Sequence, residues 1–123
     1  RILVSEYSSK AERMKETLIQ RIILDSLTNR GVMCWRNQQI PVPIRRGRAI
    51  VGLRRADPHT VGMPDICALI KGLFVGIEVK RDDKGGGRQS PDQKRWQEMI
   101  EKNGGIYILA RSWEDVEKHL PTL

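Results

Sequence analysis

Cysteine is nearly absent from the 123 residues: Cys34 and Cys67 stand alone, each flanked by apolar neighbours. They form no C-x-x-C pair, which excludes a zinc site or a disulfide framework and fits a reducing cytosol. Aromatics are scarce too, at 5%. A module reading single-stranded RNA needs exposed rings for stacking, so that class ranks last. No apolar run approaches the roughly 18 residues of a membrane span, and the first residues lack the pattern of a signal peptide. Arg1 stands where Met would start a chain, so a trimmed start is expected. Repeats and low-complexity segments are missing as well. What is present is globular: hydrophobic residues make up 39% and charged residues 30%. One domain of this length buries roughly two-thirds of its unfolded surface without help from metal or disulfides. The surplus is basic, with 22 Lys and Arg against 15 Asp and Glu, a net +7. That balance points to a polyanion as partner.

Residues 1–8 carry no clear period and are expected to be a loosely ordered lead-in to a single domain over 9–123. From Ser9, KAERMKETLIQRIILDSLTNRG predicts a helix of about five turns, capped by Ser8 or Ser9 and closed at Arg30-Gly31. VMCWRN is a short β-rich run. In QQIPVPIRRGR two prolines forbid a central strand. RAIVGLRR (48–55) reads as another strand, and ADPHTVGMP as a turn-rich loop. DICALIK (65–71) and LFVGIEVK (73–80) are the two clearest strands, joined as a hairpin at Lys71-Gly72. After the charged, glycine-rich RDDKGGGRQ, Ser90-Pro91-Asp92-Gln93 supplies a capping box with proline at the first helical position. That helix runs to about Asn103, where Gly104-Gly105 stops it. IYILA (106–110) reads as a buried strand, and Ser112 caps a final short helix, WEDVEKHL. The order α-β-β-β-α-β-α predicts a mixed α/β fold whose last strand runs parallel to the Glu78 strand.

Alternation in FVGIEVK puts Val75, Ile77 and Val79 on one face and Gly76, Glu78 and Lys80 on the other. An ordinary sheet with one solvated face would explain this as well. Asp65 changes the balance. With the turn at Lys71-Gly72 it falls opposite a residue close to Glu78, and directly opposed like charges are destabilising unless something binds between them. Two carboxylates beside a lysine fit a hard divalent cation held through oxygen. On the first helix, Ile19, Ile22, Ile23, Leu24 and Leu27 define an apolar arc, and Glu16 projects within about 20° of both Ile23 and Leu27. Gln20 lies on the same side. A core-facing carboxylate is costly unless paired or metal-bound. Gln93, third in the capped helix, serves the cap, or its amide holds a group in the site. Trp96, on the same face, reads as core.

ETLIQ on the first helix, GMPD, GIEVKR and SPDQKRW resemble, in order and spacing, the virus-type replication-repair nuclease (VRR-NUC) domain of the PD-(D/E)XK nuclease superfamily. The similarity extends from Glu16 through the tail GGIYILARSWEDVEKHL. It implies an α-β-β-β-α-β core with a mixed sheet flanked by helices, and a Mg²⁺- or Mn²⁺-dependent phosphodiesterase acting on DNA. Its small stand-alone members look like homodimeric Holliday-junction-resolving enzymes in replication and repair, in a bacterial or phage-infected cytoplasm. On this resemblance Asp65 and Glu78 are metal ligands, joined by the Val79 backbone carbonyl and, through water, by Glu16. Lys80 is the catalytic lysine, and Gln93 and Gln20 are supporting polar residues. DNA would be gripped by Arg81, Lys84, Arg88 and Lys94, with Gln20 beside them.

Between Val32 and Thr60 the resemblance is weaker, and Arg45, Arg46, Arg48, Arg54, Arg55 and His59 match no motif position. His59 is a loop histidine or a proton shuttle. No covalent intermediate is expected, since no Ser, Tyr or Cys joins the constellation. The rival reading is a non-catalytic DNA-binding or scaffolding module that keeps the nuclease fold.

Overall fold

The computed structural model describes residues 4–37, 41–54, 57–81 and 88–121, with side chains from Lys15 onward. Its elements are α1 (Val4–Asn29), β1 (Met33–Arg36), β2 (Val42–Arg46), β3 (Ala49–Arg54), β4 (Ile66–Ile70), β5 (Leu73–Val79), α2 (Pro91–Lys102), β6 (Ile106–Ala110) and α3 (Trp113–Glu117). A 3₁₀ turn over Pro58–Thr60 precedes β4. The first helix starts at Val4 and not at Ser9. No glycine or proline occurs before Gly31, and serine inside a helix costs only tenths of a kcal/mol, so Ser8 and Ser9 do not stop it. It ends as expected: Gly31 N–H donates to Thr28 O at 3.0 Å and Val32 N–H to Leu27 O at 3.1 Å, a Schellman closure.

Four strands form the main sheet in the order β1-β4-β5-β6. β1, β4 and β5 run antiparallel, and β6 lies parallel to β5 as the helical crossover requires. The β4–β5 hairpin closes with Ile70 opposite Leu73. Its two central residues, Lys71 (φ 49°) and Gly72 (φ 82°), both lie in the left-handed region, a type I′ turn that matches strand twist.

One sheet face, with Ile66, Ala68, Val75, Ile77, Val79, Ile108 and Ala110, is buried together with Ile23 and Leu27 of α1 and Val116 of α3. Each fully buried aliphatic side chain there contributes about 1.5–3 kcal/mol of hydrophobic stabilisation. α2 covers the other face: a Cβ added at Gly76 would stand 2.8 Å from Pro64 Cγ and 3.0 Å from Ile100 Cδ1. β5 is therefore buried on both faces, which overturns the alternative of a sheet with one solvated side.

β2 was unexpected, because Pro43 lies in it. It pairs only with β3 in a separate two-stranded sheet. Both strands are then edges, where proline is tolerated. The last helix also stops earlier than WEDVEKHL suggests, at Glu117. Among the described residues no helix is long and apolar enough to cross a membrane.

Candidate functional site

The hairpin register pairs Ile66 with Ile77, so one step outward Asp65 faces Glu78. Val79 N–H donates to Asp65 Oδ2 at 2.8 Å, fixing that carboxyl across the strand end. The preceding loop is clamped from two sides. Asn37 donates its backbone N–H to Asp65 O at 2.8 Å and its side-chain amide to Pro64 O at 2.8 Å. The same amide lies 2.9 Å from Cys67 Sγ. From α2, Trp96 Nε1 donates to Val61 O at 2.8 Å, so this ring, read as core, also holds the loop. Gly62 sits at φ 82°, and a Cβ there would stand 2.6 Å from the Asp92 carbonyl carbon. A side chain at position 62 would push the Asp65 loop off the first turn of α2.

Glu78 and Lys80 are 4% and 9% exposed. Gln93 Nε2 donates to Glu78 Oε1 at 2.7 Å. Its carbonyl oxygen accepts from Lys80 Nζ at 3.2 Å and from Ser90 N–H at 2.9 Å. The capping box is complete, with Gln93 N–H donating to Ser90 Oγ at 3.2 Å. Gln93 thus caps the helix and orders the site at once, so the two readings of it were not exclusive. Lys80 Nζ stands 3.8 Å from Glu78 Oε1. Glu78 Oε2 is buried without a hydrogen-bond partner.

Burial, and then the negative charge of Asp65, push Glu78 up to about 8, against the pull of Lys80. Burial also raises Asp65, opposed by the Val79 N–H and by Lys80. The Asp65 charge therefore favours the protonated form of Glu78. A buried carboxyl, Glu78, facing the half-buried Asp65, and with one oxygen lacking a donor among the described residues, forms an all-oxygen set of the kind a hard divalent cation takes. The residues present fit such an ion. Among the described residues no group of three or more His, Cys, Asp or Glu is placed to hold a metal. Two carboxyls would be the protein's share of such a site, which an ion that keeps several waters tolerates.

This sheet and its helices superpose on a solved structure described as a VRR_NUC domain, with a TM-score of 0.55 over 85% of this chain and 91% of that one, at 21% sequence identity. The chain has the VRR_NUC fold. No family model matches the sequence, and no curated protein is significantly similar to it.

Within the VRR_NUC fold the structure brings together Asp65, Glu78, Lys80 and Gln93. Glu16 and Gln20 are half-buried on the face of α1 that carries Ile23 and Leu27. That helix covers the sheet face opposite Glu78, and Glu16 makes no three-acid group with the pair. Arg88 and Lys94 are exposed at and near the start of α2. Arg81 is half-buried, its backbone oxygen accepting from the Arg111 guanidinium. Lys84 lies outside the described residues. His59 is exposed on the 3₁₀ turn, its N–H bonded to Asp57 Oδ1 at 2.9 Å. It lines a cavity with Pro58, Arg95, Trp96 and Met99, apart from the carboxyl pair.

Tyr107, to which the sequence reading assigned no role, pairs with Gly76 and so shares a face with Glu78. Burial raises its pKa, the charges of Glu78 and Asp65 raise it further, and Gln89, which bonds its hydroxyl at 3.1 Å, opposes them. Held protonated, this phenol is a poor nucleophile. Parity along the parallel β5–β6 pair was the signal that could have found it. For Asn37 no local signal existed, because its place depends on the β1–β4 register.

Proposed function

We propose that the protein is a Mg²⁺- or Mn²⁺-dependent DNA endonuclease, selective for branched DNA such as Holliday junctions and active as a homodimer in replication or repair. The observation carrying this reading is the buried Glu78 carboxyl facing the half-buried Asp65, with a Glu78 oxygen that no described donor reaches and buried Lys80 beside it. A structural role alone would leave that pair a net cost. When bound, the ion supplies charge to a phosphate oxygen and lowers the pKa of a water. Asp65 and Glu78 hold it. Val79 offers its carbonyl at the same strand edge, since its N–H already points to Asp65. Glu16 would join only through water, since α1 covers the opposite sheet face. Lys80 places an ammonium where negative charge grows on the phosphate, and Gln93 keeps that ammonium beside Glu78. Arg81, Lys84, Arg88, Lys94 and Gln20 contact the DNA, the basic ones through phosphates that position it without reading sequence.

The test sets junction, flap, single-stranded and duplex DNA side by side with Mg²⁺, Mn²⁺ or chelator. Cleavage should need the ion and favour branched forms. Glu78→Ala and Asp65→Ala should lose cleavage together with the thermal stabilisation the ion gives. Lys80→Ala should lose cleavage by about 10²–10³-fold yet keep that stabilisation. Wild-type cleavage by Glu78→Ala would falsify the site. Binding without cleavage under every condition would leave the non-catalytic DNA-binding module in its place.

A further inference from the structure

The β2–β3 ribbon is the part of the molecule that neither the core nor the carboxyl site uses. None of its residues is buried. Ile50, Val51 and Leu53 are 57%, 59% and 64% exposed. Among the described residues no third strand pairs with it, and a two-stranded sheet by itself is marginal in water, so the ribbon is free for contact with something else. Its charge says with what. Residues 41–54 hold Arg45, Arg46, Arg48 and Arg54 and no Asp or Glu. A second copy of the ribbon would meet it with four positive charges against four. A polyanion meets it with attraction.

The ribbon's shape narrows the choice further. Cross-strand register puts Pro43 opposite Leu53 and Arg45 opposite Ile50 on one face, with Val42 opposite Arg54 and Arg46 opposite Ala49 on the other. Each face thus mixes guanidinium with apolar surface. A register shift between Ile44 and Arg45 marks a bulge, which increases the local twist. Strands of 5 and 6 residues reach about 17–20 Å, roughly half a turn of B-DNA. The B-form major groove, about 12 Å wide, admits a two-stranded ribbon. There arginine meets phosphates and guanine edges while apolar side chains meet thymine methyls. The deep, narrow major groove of A-form RNA does not admit side chains.

We propose that the β2–β3 ribbon is a DNA-binding arm that lies in the major groove of B-form duplex. This rests on DNA being the substrate, and it adds an element that grips duplex independently of the metal chemistry.

The experiment uses the full chain carrying Glu78→Gln, in chelator, titrated onto a short labelled DNA duplex over a range of salt. Replacing Arg45, Arg46, Arg48 and Arg54 together by Gln should weaken binding at least tenfold. The slope of log K against log salt should fall by up to about 3.6, or 0.9 for each of four phosphate contacts. Lys at all four positions should restore the slope. An RNA duplex of the same length should bind with little dependence on these four residues. Unchanged affinity and slope in the Gln variant would overturn the arm, as would an RNA duplex equally dependent on it. So would light scattering showing that the same variant splits a dimer, since the ribbon would then join two copies. Failure of the nuclease reading looks different: arm-dependent binding would persist while the wild-type chain with Mg²⁺ leaves every DNA uncut.

Discussion

With no ion bound, Glu78 should make stability fall as pH rises. Its folded value, raised to about 8 by burial first and by the Asp65 charge second, lies above the unfolded 4.5. Between those limits the native state holds more protons than the unfolded one. The contribution of this group is therefore complete below about pH 4.5, declines through the interval, and is gone above about pH 8. The slope approaches about 1.4 kcal/mol per pH unit at most. Denaturant melts in chelator from pH 5 to 8.5 should show the decline in wild type, and a flatter profile in Glu78→Gln. Added Mg²⁺ should act with the opposite sign. Proton and metal compete for the same oxygens, so the gain in melting temperature from the ion should grow with pH. A wild-type profile as flat as that of Glu78→Gln would mean that Glu78 is solvated and ordinary.

Between residue and fold stands α2, whose first turn is both a structural cap and one wall of the site. The Ser90 hydroxyl serves only the cap, whereas Gln93 serves cap, Glu78 and Lys80. Ser90→Ala keeps the backbone N–H that Gln93 Oε1 accepts from. It should cost about 1 kcal/mol of stability and leave the cleavage rate within about threefold. Gln93→Ala should lose comparable stability and most of the rate. Equal rate losses in both would mean the cap, and not the amide, orders Glu78. These contacts were legible in the sequence because they are local: a capping box spans four residues, and a two-residue turn fixes the register that sets Asp65 against Glu78. Asn37 was hidden for the converse reason, since the β1–β4 pairing joins residues tens of positions apart, and Tyr107 was open only to parity along the predicted β5–β6 pair. β2 was missed by applying to a free ribbon a proline rule that holds for central strands.

At the scale of the whole molecule, the +7 net charge sets two associations against each other. Charge balance read from composition points to a polyanionic partner, but neither pattern nor period can locate a dimer contact, which depends on surfaces brought together only by folding. Junction cutting needs two incisions related by two-fold symmetry, and the described residues of one chain present one such carboxyl pair, so a junction-cutting form would bring two copies together through the same patch on each. A stable contact buries on the order of 1,200–2,000 Å². Exposed apolar side chains suited to such a contact occur away from the ribbon: Leu18 and Ile22 on α1, Met33 and Leu69 on adjoining strands. Association of two chains of the same sign is opposed by Coulomb repulsion, which salt screens within about 10 Å at 0.1 M. DNA binding, driven by counterion release, weakens with salt instead. Light scattering at tens of micromolar protein should therefore show a dimer whose fraction rises between low and moderate salt, over the range in which affinity for DNA falls. A monomer at every salt concentration would remove the junction-resolving reading, since paired incision would have no second site, while cleavage of simpler DNA forms could persist.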